Sequence, residues 1–539
     1  MYQEVVRKYR ELDRDIALLY YRISSRKQFE ETFFVPDADT VRQTEDEIAS
    51  LRKRLQELPV TDAVNRIWHG HFAVVLNDIS DRISYMKKDP SEMFSSEGWT
   101  LSYFVRLDQR SCRRRAELIE GRLKQLGRAA EYAAGQVSAQ QADSLSGALH
   151  RLAADIELVS GELSDYFTDE REELDAAFGS AAELLKRTAD SLTVSAGKRE
   201  TARPDKERYA EILRTHYGVD INELRQMCER DIEESRSRVL ELAAHLPVKE
   251  KPADMKETAE VLNRYAGAAE SPEEMFAREN EYLKRCRKAA HENVKLPDDE
   301  ICFCRPIAHI AGITYPWGGY EGGDDQCVPV RGQMFLNQFN FRAVTDGWMK
   351  INALHECYPG HHVQYVRTLT DRTPETIKID GNNIPLIEGT AIRSETAFMD
   401  VYADDPFYPL FAAYRRHHAA VRIRADLMLF EEQCEEEEAV RLYEEELGFD
   451  RGTAAGQVAS QLVMPGYFTC YHYGLKKIEE WEKKYGYDRK TYTELLFSAG
   501  YISISAFHDY LQLSEEDKYR YSHDYPSMLR DFSRMPEVN

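Results

Sequence analysis

The sequence predicts a mainly α-helical protein with one small β-sheet just past its midpoint. Three observations carry that prediction. Apolar residues recur at helical spacing over most of the 539 residues. Gly (28) and Pro (19) are sparse, so helices can run long with few interruptions. The one change of texture follows Pro297, where "ICFCRPIAHIAGITYPWGGYEGGDDQCVPVRGQMFLNQFNF" is rich in Gly, Pro, aromatic and β-prone residues.

The elements follow in order. Residues 1–295 read as helix after helix, for example "TVRQTEDEIASLRKRLQELP" and "RAELIEGRLKQLGRAAEYAAGQVS", with breaks near Pro36, Pro59, Pro90, Pro204, Pro247 and Pro252. No fixed period recurs, so a solenoid is not favoured. Short strands are expected at 301–304 and 333–339 around a Gly-rich loop. "GGYEGG" lacks the spacing and the βαβ setting of a dinucleotide fingerprint. Helices resume near 345, and the acidic run 431–447 reads as a solvated helix face. The expected organisation is a helical scaffold (1–295) and a catalytic region (296–539), packed as one continuous unit.

Composition narrows the function. A net charge of -23 leaves no basic surface for phosphates, so nucleic acid is not an expected partner. The first thirty residues read as an amphipathic helix rather than an apolar signal segment. No apolar stretch of ~20 residues occurs, so no membrane association is expected. The nine cysteines are scattered and odd in number, which favours free thiols and a cytoplasmic location.

The chemistry concentrates in "HECYPGHH" (355–362). A helical zinc site of the H-E-x-x-H type places two histidines four apart with a glutamate beside the first. Here Pro359 occupies the fifth position, and the next histidines are His361 and His362. In a straight helix these would lie roughly 9–10.5 Å along the axis from His355, against roughly 6 Å for the usual pair. Pro359 removes a hydrogen bond and Gly360 relaxes the backbone, so a bulge or kink is expected. A two-residue bulge returns His361 to the second ligand position. His362 would need a larger one, so His361 is favoured. The third ligand should come from another helix. In "IPLIEGTAIRSE", Glu388 and Glu395 lie two turns apart on one face. Glu388, beside Leu386 and Ile387, needs a partner such as a metal, and Glu395 could orient an imidazole. Glu356 is then the candidate general base.

These segments resemble the DUF885 family, mainly helical proteins grouped with the zincin-like metallopeptidases. "HECYPGHHVQ" (355–364) fits H-E-x-x-P-G-H-H-x-Q. "RGQMFLN" (331–337), "EGTAIRSE" (388–395), "RIRAD" (422–426) and "PGYFTCYHYG" (465–474) are similar to flanking family segments. The resemblance implies an elongated multi-helix zincin-like fold, with a deep channel and a small sheet beside the active helix. It implies one zinc per chain, held by His355, His361 or His362, and Glu388; manganese or cobalt could also occupy such a site. The implied activity is hydrolysis of an amide bond in a small peptide, by Glu356-assisted attack of metal-bound water. Tyr471, with Tyr473 second, is the candidate oxyanion donor. Core packing is an equal alternative for both tyrosines.

Other candidates carry open alternatives. Arg422 could bind a substrate carboxylate or pair with Asp426 one turn away. "QMFLNQF" could pair with a substrate backbone or be a plain structural strand. His417 and His418 read as helix surface, and "WHGH" (68–71) lacks the company for a second metal site. The family pattern's Trp and Tyr are replaced by Thr390 and Arg393, and its Gln by Tyr467. Those departures motivate a second reading, hydrolysis of a specialised non-peptide amide. A catalytically inactive helical binding protein is the third.

Overall fold

The computed structural model describes residues 2–192, 203–312, 315, 317–322, 330–379, 383–523 and 525. Helices start where short polar residues mark them. Asp37, Asp62, Asp254 and Asp488 each accept a backbone N–H at a helix N terminus. The acidic run near 431–447 forms the helix Glu436–Leu447, with Ala439, Val440, Tyr443 and Leu447 turned inward.

One apolar core crosses position 295. It extends from Tyr9 and Ile16 through Met334 and Leu354 to Tyr510 and Tyr521. A second core, around Phe94, Ile119, Leu149 and Phe178, belongs to the helices between 90 and 191. A polar clamp ties the N-terminal helix Tyr2–Ile23 to the later region. The fully buried Asp13 accepts the Glu375 and Thr376 backbone N–H groups at 2.7 and 2.9 Å. Burial pushes its carboxyl up to about 6. His71 meets the Thr376 carbonyl at 2.8 Å.

The site is built from nine elements. Helix α1 (Pro272–Asn293) precedes strands β1 (Ile301–Pro306), β2 (Gly318–Gly322) and β3 (Arg331–Leu336). Then come α2 (Asp346–Asn352), α3 (His361–Thr370), α4 (Ile384–Ala397), α5 (Tyr408–Asp426) and α6 (Thr469–Tyr485). The sheet has the order β1-β3-β2, with β3 parallel to β1 and antiparallel to β2.

Two expectations change here. β3 is the central strand, so both its edges are already paired and no substrate backbone can add to it. "GGYEG", expected in a loop, is a strand. Its glycines allow tight contacts: a Cβ on Gly319 would sit 2.7 Å from the Phe335 ring, and one on Gly322 3.0 Å from the Tyr365 ring. Residues 323–329 of the Gly-rich segment lie outside the described residues.

Glycine also sets the contact between α4 and α6. A Cβ on Gly474 would fall 1.7 Å from the Pro385 carbonyl oxygen, and one on Gly389 2.5 Å from the Gly474 carbonyl carbon. This close approach carries the aromatic start of α6 to Glu388. No helix among the described residues is long and apolar enough to cross a membrane.

Candidate metal centre

The histidine-bearing segment is a broken helix. α2 runs into a wide π-type turn, Ala353–Cys357, that carries His355 and Glu356. The chain then leaves helical geometry at Tyr358 (φ -130°, ψ 109°), and His361 opens α3 as a new helix. The break exceeds the bulge expected from Pro-Gly. Gly360 makes it possible: a Cβ there would lie 1.8 Å from the His355 carbonyl oxygen.

The break brings two imidazoles to one carboxylate. His355 Nε2 and His361 Nε2 each lie 3.4 Å from Glu388 Oε2. Their rings meet edge to face, with centroids 4.9 Å apart. The three ligand atoms lie within 4.8 Å of one another, the one such group among the described residues. A tetrahedral zinc ion with bonds of about 2.0–2.1 Å separates its ligands by roughly 3.4 Å. The spacing to Glu388 therefore fits an ion.

The outer nitrogens are already held. His355 Nδ1 meets Glu395 Oε1 at 2.8 Å, and His361 Nδ1 meets Gln364 Oε1 at 2.8 Å. Gln364 is itself oriented by donating to the Ile387 carbonyl at 2.9 Å. Both Nε2 atoms are thus left to face inward, the usual arrangement around a bound metal. Glu388 Oε1 accepts from the Tyr467 hydroxyl at 3.0 Å, while Oε2 is buried without a hydrogen-bond partner. A carboxylate oxygen without a hydrogen bond, facing two imidazole nitrogens at 3.4 Å, suits a cation.

The electrostatics agree. Burial opposes charge on His355, yet Glu388 and Glu395 push its pKa up to about 10. Burial likewise raises Glu388, but His361 and His355 hold its carboxyl well below the usual range. Half-buried Glu356 lies close enough to add its charge to both imidazoles. Tyr471 lies parallel to the His355 ring, with centroids 6.1 Å apart, and edge to face with the Tyr467 ring, with centroids 5.8 Å apart.

Several candidates lie elsewhere. His362 is fully buried and faces away from Glu388. Its Nε2 meets Glu300 Oε2 at 2.7 Å and its Nδ1 meets the Tyr320 hydroxyl at 3.1 Å. It supports the helix rather than a substrate. Tyr473 also turns away, donating to Glu223 Oε2 at 2.9 Å. Tyr471 and Tyr473 are two residues apart on α6, about 200° around the helix, so only Tyr471 turns toward the site. His417 and His418 are buried, not surface, because α5 is covered almost all round. Arg422 does not bond Asp426: it donates to the neutral Gln457 Oε1 at 3.1 Å and lies over the Phe468 and Tyr471 rings. Asp426 instead accepts from Tyr209 at 3.2 Å and from the Gly466 N–H at 2.9 Å, and from Gln461. It thereby fixes the turn that presents Tyr467.

Sequence reasoning missed Gln364, Tyr467, Glu300 and Arg415. Gln364 was visible as the last fixed position of "HECYPGHHVQ". Tyr467 stood out only as a departure from a motif.

A family model described as "Bacterial protein of unknown function (DUF885)" matches residues 32–510. The chain belongs to the DUF885 family. Two solved structures share its fold. One is a protein described as a candidate lipoprotein from Colwellia psychrerythraea, with a TM-score of 0.71, 14% identity and coverage of 94% of this chain and 97% of that one. The other is described as a candidate lipoprotein of unknown function from Shewanella oneidensis, with a TM-score of 0.69, 15% identity and coverage of 95% and 98%. No curated protein matches the chain.

Proposed function

We propose that this DUF885 protein is a zinc-dependent hydrolase that cleaves an amide bond in a small peptide or peptide-like substrate. The observation that carries the reading is the convergence of His355 Nε2, His361 Nε2 and the orphaned Glu388 Oε2 beside Glu356. These three residues would hold the metal, which when bound acidifies water and polarises a carbonyl.

The chain's own residues supply the rest. Glu356 is the base that takes the proton of the attacking water and passes it to the leaving amine. Tyr471, lying on His355, is placed to donate to the developing oxyanion. Glu395 and Gln364 hold the two imidazoles in the orientation a metal needs. The eight described cysteines are all free, which favours a reducing, cytoplasmic compartment for this chain.

The test is metal content by mass spectrometry together with hydrolysis of short peptides. Zinc in wild type, and a rate that falls ~10²–10⁴-fold in Glu356→Gln with zinc retained, is the expected result. Equal rates in Glu356→Gln and wild type, or no zinc in protein supplied with it, would sink the reading.

A further inference from the structure

Beside the metal centre sit two guanidiniums that the hydrolytic chemistry does not use. Arg415 and Arg422 are two turns apart on α5, so they share a face. They keep only 7% and 5% of their surface exposed. Burying such a charge is costly unless an anion meets it, and among the described residues no carboxylate is hydrogen-bonded to either. Arg415 Nε and Nη1 are buried without hydrogen-bond partners. The acid near Arg415 is Glu395, 3.9 Å from Nε and already bonded to His355. Among the described residues Arg422 donates to the amide oxygen of Gln457 alone, while Asp426 holds Tyr209, Gln461 and Gly466. Burial, and then the repulsion of Arg415, pull the Arg422 pKa down to about 10. The same two guanidiniums, after burial, hold His418 neutral.

Aromatic rings aim the pair. Arg422 lies 5.3 Å and Arg415 5.7 Å from the centroid of Tyr471, and the same ring lies on the metal-facing His355. The uncompensated charge is thus one ring removed from the metal centre. Successive residues of a peptide are about 3.8 Å apart, so a carboxylate one or two residues beyond the scissile bond falls within reach. A planar guanidinium is suited to that group.

We propose that Arg415 and Arg422 form a recess for the free C-terminal carboxylate of the substrate. The protein then removes residues from the C terminus of a short peptide and is not an endopeptidase. The inference rests on the hydrolase reading for its catalytic meaning, but the recess itself belongs to the two arginines and binds with or without metal.

Calorimetry tests it with three probes: N-acetyl-Ala-Ala, its C-terminal amide, and N-acetyl-Ala-Glu-amide. Each is titrated into chelator-treated wild type and into zinc-supplied Glu356→Gln protein, so that turnover does not intrude. The free acid should bind ~30-fold or more tightly than its amide in both proteins. Arg422→Met should erase that preference, and Arg422→Lys should restore part of it. Arg415→Met provides an independent variant should Arg422→Met fail to fold, and the acid-to-amide ratio in wild type decides without any variant. Equal binding of acid and amide, or binding of neither, overturns the recess. Equal binding of the Glu-amide and the free acid overturns its assignment to the chain terminus. A metal-free protein that still prefers the acid upholds the recess even where the metal reading fails.

Discussion

Two clusters of two histidines and one glutamate flank the start of α3, and they differ in a single respect. On one side, His355 and His361 face Glu388. On the other, His362 and His291 face Glu300. Glu300 is saturated: Arg287 and His291 reach Oε1 at 2.9 and 2.8 Å, while Tyr358 and His362 reach Oε2 at 2.9 and 2.7 Å. Glu388 receives Tyr467 on one oxygen, while the other makes no hydrogen bond among the described residues and faces the two Nε2 atoms at 3.4 Å. Residue type alone does not separate a metal site from a structural knot. The separation lies in which oxygen and nitrogen atoms have been left without partners.

The largest effect should come from breaking the open cluster. His361→Ala or Glu388→Gln should remove the metal and with it at least ~10³-fold of the activity. His362→Ala, one residue away, should keep its zinc, as metal analysis of the purified variants would reveal. Zinc lost from His362→Ala but kept in His361→Ala would reverse the two assignments.

The saturated cluster should answer through stability instead. Burial alone would raise the Glu300 carboxyl, but the bonds from His362, His291 and Tyr358 hold it at about 2, against 4.5 ordinarily. Its stabilisation is therefore complete above about pH 4.5 and is lost as the pH falls toward 2. At neutral pH it amounts to roughly 3 kcal/mol. Denaturant unfolding of wild type and Glu300→Gln should show that gap near pH 7 and a shrinking gap below pH 4.5. A gap that widens in acid would contradict the sign.

The outer supports of the open cluster come next. Glu395→Gln or Gln364→Ala frees one imidazole to turn, and each should weaken metal binding by about 10–100-fold. Competition with a chromogenic chelator measures this directly. Unchanged affinity in both variants would mean that the two histidines are held by packing and not by these hydrogen bonds.

How much of this was legible follows from the kind of signal each residue leaves. The helices before residue 295 announce themselves by their apolar period and by the prolines that break it. His355, Glu356 and Glu388 are legible from residue types and spacing, because a carboxylate amid Leu386 and Ile387 must meet something. The break at Tyr358–Gly360 was expected as a bulge, since local rules say that Pro-Gly disrupts a helix but not how far. β2 was illegible because Gly318, Gly319 and Gly322 have no side chains to alternate. Its position beside β3 depends on Phe335 and Tyr365, residues far along the chain. The burial of His417, His418 and Arg415 on α5 was illegible for the opposite reason. A helix covered on all sides shows no polar face, so its charged residues read as surface.

The smallest predicted effect concerns Tyr467, which stands where the motif that this segment resembles carries Gln. Its hydroxyl donates to Glu388 Oε1 at 3.0 Å. A hydrogen bond to a charged group contributes about 1.5–3 kcal/mol when nothing else competes for the charge. With a cation on Oε2, most of that charge is already met, so Tyr467→Phe should weaken metal binding by no more than about 10-fold. A glutamine side chain carries an N–H₂ donor. Tyr467→Gln should therefore recover what Tyr467→Phe loses, and a chelator titration of the three proteins compares them on one scale. Equal losses in the two variants would assign Tyr467 to packing against Phe468 and Tyr471. The departure from the family pattern would then mark a reshaped wall of the pocket instead of an exchanged donor to the same carboxylate.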